Sequence, residues 1–338
     1  AVDIGRDLGA EIVGLGALTS VVTRGGRSVT GRNVAITSGN SFTTLMGIEA
    51  LFMGAEKMNI DTIAAHGGVV GATGSIGRAC ALIMSEQLSQ MTLFGNPLHQ
   101  TSSFNRLNSL AQEIFAYAFN RMQAGELQGM SLWLSRVYDI LMQKDEDIAR
   151  HYLNIIKQEN VTLQEARELC LYLNIDSPIN ISVNISQDLP DCQLVIATSN
   201  SPEYLVFADD LRSGAVVCDV ARPADVAPEV YERDDVLVLE GGLVQYPDTV
   251  CFGANLGYRD GVNLACLSET VLLALEGDCR DYSIGSRLTL ETIQYLRALA
   301  QKHGFGLAGL KMGNYEINDR DIEKIYRNSL QLKMAENM

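Results

Sequence analysis

The sequence predicts an α/β protein: a Rossmann-type parallel sheet carrying an inserted helical subdomain and preceded by a partial N-terminal α/β segment. Three observations carry that prediction. A short apolar stretch at 66–70 runs into GATGSIG at 71–77 and then RACALIMSEQL, the order strand, glycine turn, helix. Apolar segments recur downstream: MTLFG at 91–95, QLVIATS at 193–199, GAVVCDV at 214–220 and DVLVLEGG at 235–242. Their continuous apolar centres are those of parallel strands buried on both faces. Between MTLFG and QLVIATS lies a long stretch with helical period, residues 105–178.

The elements follow in order. Residues 1–9, AVDIGRDLG, have no initiator Met and read as a helix tail stopped by Gly9, so the chain is expected to begin partway into a longer protein. Residues 11–22 read as a buried strand and a glycine-rich bend. Residues 23–33 form a polar loop with Arg24, Arg27 and Arg32, and 34–43 a strand ending in a Ser-Gly-Asn turn. A helix is expected from Thr44 to Lys57, with Leu45, Ile48, Leu51 and Phe52 on its apolar side. In the helical block, Leu107, Leu110, Ala111, Ile114, Phe115, Ala118, Phe119 and Met122 form one stripe. The C-terminal part is helical again, in LACLSETVLLALEG and LTLETIQYLRALAQKHG. The division expected is a substrate-side segment at 1–60, a nucleotide-binding domain at 61–262 interrupted by the insertion at 105–178, and a helical segment at 263–338.

Composition removes several classes of function. With 338 residues, 47% of them hydrophobic, the chain can bury a large core. Its net charge of −15 repels phosphate backbones and anionic membranes, so no nucleic-acid partner is expected. No uncharged apolar run reaches membrane-spanning length. The seven cysteines are odd in number, widely spaced and lack a CxxC pair, which argues against a disulfide framework or structural zinc and for a reducing, cytoplasmic compartment. His66, His99, His151 and His303 have no partner at ligand spacing, so no metal is expected. His303 precedes Gly304, where a cation suits the end of a helix.

Gly71, Gly74 and Gly77 give G-x-x-G-x-x-G. Such glycines let the backbone turn tightly and admit a pyrophosphate to main-chain N–H groups at a helix start. Thr73, Ser75 and Ile76 complete the candidate cofactor turn. An NAD enzyme usually carries an acid at the end of the second strand. Here Gly95, Asn96 and Pro97 stand there, which favours NADP(H), with Asn96 in the site and Arg78 or Arg106 as charge for the 2′-phosphate. Cys266 is the candidate nucleophile. With Gly261 breaking the preceding segment and Asn263 as the expected N-cap, it falls in the first turn of a helix, where free N–H groups and the helix dipole favour a thiolate. Cys80, Cys170, Cys192, Cys218 and Cys251 read as core residues.

Several of these segments together resemble the long-chain fatty acyl-[acyl-carrier-protein] reductases of cyanobacteria: GLGALTSVV at 14–22, ITSGNSFT at 36–43, VVGATGSIGRA at 69–79, VLEGGLVQ at 238–245, ACLSETVLLALEG at 265–277 and KHGF at 302–305. The resemblance implies NADPH-dependent reduction of a long-chain acyl thioester, carried by acyl carrier protein or coenzyme A, to a fatty aldehyde through an acyl-cysteine at Cys266. It implies the cofactor turn at Gly71, Gly74 and Gly77 and places Ser20 near the active site. The family's arginine at the end of the second strand is here Asn96, and the helical block has no family counterpart. That block could cover the active site, form a homo-oligomer interface or bind a donor. An acidic carrier would need a local basic patch, for which Arg24, Arg27 and Arg32 are candidates. Two other readings remain open: a dehydrogenase of shikimate or glutamyl-tRNA reductase type acting on a small polar substrate, and a non-catalytic nucleotide-binding interaction module.

Overall fold

The computed structural model describes residues 1–144, 146–159, 161–250, 258–312 and 315–336. The chain opens with α1 (Val2–Asp7), β1 (Ile12–Gly14), α2 (Leu18–Val22) and β2 (Ala35–Thr37). β1 and β2 pair in parallel as a separate two-stranded sheet. The segment 18–22, read from sequence as part of a bend, is a short helix instead. α3 (Asn40–Lys57) starts four residues before the expected Thr44, because Gly39 in a left-handed conformation (φ 74°) turns the chain into it directly from β2.

The main sheet has six parallel strands: β3 (His66–Val70), β4 (Gln90–Phe94), β5 (Ile179–Ser182), β6 (Leu194–Ala197), β7 (Val216–Asp219) and β8 (Leu237–Glu240). Their spatial order is β5-β4-β3-β6-β7-β8. The chain runs outward one way from β3, then returns to β3's other side with β6. Ligands of open α/β sheets bind at such a switch point, beyond the carboxyl ends of the strands. β3 is joined to β4 by α4 (Ser75–Met84). Between β4 and β5 stand α5 (Gln100–Gln123), α6 (Gly129–Met142), α7 (Asp147–Lys157) and α8 (Leu163–Leu173). The stripe from Leu107 to Phe119 is buried and its last member, Met122, is half-buried; Trp133 of α6 lies against Phe115. β5 lies just beyond this block. After it come a single turn, α9 (Ile185–Asp188), and the strands from β6 onward.

β9 (Leu243–Gln245) leaves the main sheet and pairs antiparallel with β10 (Val262–Leu264) and β11 (Gly306–Leu307). α10 (Ala265–Glu276) follows β10 without a break, and α11 (Leu290–His303) packs beside it. β12 (Lys311–Met312), β13 (Tyr315–Glu316) and α12 (Asp319–Glu336) complete the chain, so the C-terminal part is not purely helical.

α3 is the hinge-pin of this arrangement. It packs on β6, β7 and β8 as well as on α4, α10 and α11. Gly47 and Gly54, two turns apart, face the sheet so closely that an added Cβ would lie 2.7 Å from Val220 and 2.8 Å from Leu239. Phe42, Leu45, Met46, Ile48 and Leu51 are all buried, each worth about 1.5–3 kcal/mol of apolar transfer.

Candidate active site at the glycine turn and Cys266

The glycine turn sits at the switch point. Gly71 has φ 77° and packs on Ser199, just past β6. Gly77 is buried against the opposite side of the turn: a Cβ there would lie 2.4 Å from the Gly71 carbonyl oxygen and 2.6 Å from Thr198 Oγ1. Gly74 is the N-cap of α4, and no side chain caps the helix. Thr73, Ser75 and Ile76 are half-buried and Gly74 is exposed, so the turn opens to solvent. An uncapped helix start on a glycine turn, at the switch point of a parallel sheet, fits a dinucleotide pyrophosphate.

The neighbouring groups are arranged differently from the expectation. Asn96 is exposed, and its Oδ1 accepts a hydrogen bond from Leu98 N (2.8 Å), so its acceptor closes its own turn. Arg78 makes a bidentate pair with Glu113 of α5, with Nε donating to Oε2 at 2.8 Å. Its guanidinium is thereby committed to joining α4 to the insertion. Arg106 is exposed, and its Nε reaches Ser102 O (3.4 Å).

Cys266 occupies the second position of α10. The N-cap is Leu264, not the expected Asn263, which lies within β10 and donates no cap. The Asn263 side chain instead accepts from Leu264 N (2.8 Å). The cysteine is half-buried. Burial pushes its thiol above the ordinary value, and nearby Glu269 adds to this; the backbone N–H groups of Ala17 and Leu267 pull the other way. The helix start therefore does not by itself leave a thiolate, contrary to the sequence expectation. Ala17 is exposed and holds φ 48°, ψ −131°, a conformation that costs a non-glycine residue on the order of 1–3 kcal/mol. Ser20 lies three residues further along, buried in α2.

The Ser-Gly-Asn turn at 38–40, which the sequence reading marked as a turn but gave no part in the site, brings the two halves together. Gly39 packs face-on against Cys266: an added Cβ would lie 2.4 Å from the cysteine's Cα and carbonyl oxygen. The next residue, Asn40, donates from Nδ2 to Ser75 Oγ (3.3 Å), in the first turn of α4. Two consecutive residues thus touch the thiol-bearing helix start and the glycine-turn helix.

Cys80, Cys170, Cys192 and Cys218 are buried and unpaired; Cys279 is exposed, and Cys251 lies outside the described residues. Burial raises the thiols of Cys170, to about 11, and Cys192, to about 12. Among the described residues no group of three or more His, Cys, Asp or Glu could hold a metal ion, and no helix is long and apolar enough to cross a membrane. His303 bonds to Glu276 (3.0 Å) beside Lys302 at the end of α11. Of the three loop arginines, Arg32 is paired with Asp3 and the Arg27 guanidinium lies against Gly285; Arg24 is exposed.

By sheet order and turn, this is a Rossmann-like α/β protein. No protein-family profile matches the chain. It is 30% identical over 302 residues to the aminotransferase PigE of a Serratia strain, an alignment covering 88% of this chain. It is 24% identical over 127 residues to the long-chain acyl-[acyl-carrier-protein] reductase of Synechococcus elongatus, covering 35% of this chain. The chain spans 28% of the first relative's length and 36% of the second's. The second match accords with the resemblance read from sequence; the longer match to PigE was not foreseen. Both relatives are enzymes by name.

Proposed function

We propose that this chain catalyses NADPH-dependent reduction of a long-chain acyl thioester, from acyl carrier protein or coenzyme A, to an aldehyde through an acyl-cysteine at Cys266. The observation that supports the reading is the Gly39–Asn40 pair: Gly39 packs on the backbone of Cys266 and Asn40 bonds to Ser75 in the first turn of α4. Similarity to the Synechococcus reductase supports it.

The N–H groups of Ser75, Ile76 and Gly77 would hold the pyrophosphate, with Gly71 and Gly74 admitting it. Of the two arginines expected to meet a 2′-phosphate, Arg78 is paired with Glu113, so exposed Arg106 is the candidate of the pair. NADPH, when bound, supplies the hydride. Cys266 Sγ attacks the acyl carbon; the bond from that carbon to the donor sulfur breaks, and the donor thiol leaves with a proton. Covalent capture makes the reduction a unimolecular event. Delivery of that hydride to the acyl carbon, with cleavage of its bond to Sγ, would release the aldehyde and leave a thiolate, which would take a proton from water to return the thiol. The Ala17 N–H and the start of α10 are suited to the oxyanion that develops. Exposed Leu18, Val21 and Val22 on α2 give the acyl chain an apolar surface beside Ala17.

The PigE alignment supports a place in a sequence of reactions. PigE is named an aminotransferase, and an aldehyde is a carbonyl that transamination consumes. The aldehyde formed here would therefore pass to an amine-forming step.

Incubation with palmitoyl-coenzyme A in the absence of NADPH should give a Cys266 acyl adduct by mass spectrometry, and adding NADPH should release aldehyde. Cys266→Ala should abolish both. Full aldehyde formation by Cys266→Ala would sink the acyl-cysteine route. Turnover of a small polar substrate without any adduct would favour a dehydrogenase of the shikimate type.

A further inference from the structure

Glu269 is fully buried, one helical turn after Cys266 on α10. An isolated buried carboxylate is costly, so a chain keeps one where donors surround it. Here Phe42 N donates to Oε2 (2.8 Å), Ser283 Oγ donates to Oε1 (2.6 Å), and Thr37 Oγ1 also donates to Oε1. The Thr37 hydroxyl, its proton turned toward the carboxylate, in turn accepts the Gly39 N–H (3.1 Å). Ser283 accepts from Ser41 N (3.3 Å), and Ser38 Oγ donates to Ser283 O (2.5 Å). The turn from Thr37 to Phe42 is therefore tied to one side chain of the helix that carries the cysteine. That same turn sets Gly39 against Cys266 and extends Asn40 to Ser75.

We propose that Glu269 is a positioning residue for Cys266: its carboxylate pins the Thr37–Phe42 turn, and with it Gly39, against the cysteine's backbone. The proposal rests on the acyl-cysteine reading only for its catalytic consequence; the positioning itself is a property of the thiol's surroundings.

Three variants separate the contributions. Glu269→Gln keeps the size, and its amide can accept from Phe42 N while donating to the Thr37 and Ser283 hydroxyls. Thr37→Val keeps the carboxylate but removes the link to Gly39. Glu269→Ala removes everything. Acylation of Cys266 by palmitoyl-coenzyme A without NADPH should fall about 100-fold in Glu269→Ala, roughly tenfold or more in Thr37→Val, and stay within about threefold of wild type in Glu269→Gln. Iodoacetamide labelling, read by peptide mass spectrometry, gives the check that needs no acyl chemistry. In Thr37→Val the rate at Cys266 relative to exposed Cys279 should rise about tenfold as the turn lifts away, while Cys80, Cys192 and Cys218 stay unlabelled. Labelling of those three as well would mean general loosening and would overturn a local role. Should Glu269→Ala fail to fold, Thr37→Val decides. Wild-type ratios in folded Thr37→Val and Glu269→Ala would overturn the proposal. Absence of any acyl adduct in the wild type would instead overturn the acyl-cysteine reading, leaving the labelling ratios to judge Glu269.

Discussion

Gly39→Ala perturbs the contact between the 37–42 turn and Cys266 with one methyl group. Gly39 has φ 74°, and left-handed backbone costs a residue with a Cβ about 1–2 kcal/mol. The methyl would also stand 2.4 Å from the Cys266 Cα and carbonyl oxygen and 2.6 Å from its Cβ. Ordinary carbon contacts lie at about 3.5–4 Å, so the two segments must part by roughly 1 Å. Overpacking of that kind costs about 1–3 kcal/mol, bringing the expected loss to about 2–5 kcal/mol. Gly9→Ala is the control: φ there is 88°, but an added Cβ meets nothing within 4 Å, so only the backbone cost applies. Urea unfolding of the two variants isolates the contact. Displacing the thiol by about 1 Å should slow acylation of Cys266 about 100-fold, measured by intact mass in a single turnover. Equal stability in the two variants, with acylation at the wild-type rate in Gly39→Ala, would refute the reasoning.

Gly77→Ala should separate the cofactor turn from the thiol. Its Cβ would collide with the Gly71 carbonyl at 2.4 Å, so NADPH affinity, followed by nucleotide fluorescence, should weaken at least about tenfold, while labelling of Cys266 by iodoacetamide keeps its rate; unchanged affinity would remove the turn from the cofactor site. Burial raises the Asp219 carboxyl to about 7, with the N–H groups of Val226 and Ala221 opposing the shift. A carboxyl raised on folding holds its proton more tightly in the folded chain, so its contribution to stability is greatest at low pH, declines between about pH 4 and 7 and is level above that. The Asp219→Asn difference in urea-unfolding free energy should therefore vary with pH by up to about 4 kcal/mol across that window; a difference independent of pH would show that the carboxyl titrates normally.

The parallel sheet was legible because buried strands leave a plain trace. β3 ends in Val69-Val70 before Gly71, and LVIA in β6 is a continuous apolar run before Thr198 and Ser199. β5 left a weaker trace: Ile179–Ser182 is four residues with Asn and Ser among them, at the edge of the sheet. α2 was obscured by its composition, since Leu18–Val22 contains Thr and two Val, residues that favour strands. The Asn263 cap was a reasonable local reading that tertiary structure overrode, because β10 pairs with β9 up to Leu264. In the site, Cys266 and the glycines announced themselves by local pattern. Their meeting did not. Glu269 finds Thr37 and Phe42 from 232 and 227 residues away, and Arg78 finds Glu113 from 35 away. No periodicity encodes such pairings. The ACLSE segment offered one usable signal, a carboxylate three residues after the cysteine in a largely apolar helix.

The six residues from Thr37 to Phe42 bear more restraints than any connection between a strand and a helix requires. Gly39 supplies the left-handed turn that a side chain would resist. Glu269 supplies the acceptor oxygens for Thr37, Phe42 and Ser283, each bond worth about 1 kcal/mol against water. Asn40 adds a single neutral bond to Ser75, worth about 1 kcal/mol, too little to place two helices by itself. What fixes the separation of α10 and α4 is the rigid body between them. α3 is packed on the sheet along its buried face, α4 and α10 rest on α3, and the turn is the point where all three helices start close together. A mutation that softened the Asn40–Ser75 bond alone would leave that body intact. One that freed the turn from Glu269 would let Gly39 leave Cys266 while the sheet, and with it the glycine turn at 71–77, stayed in place.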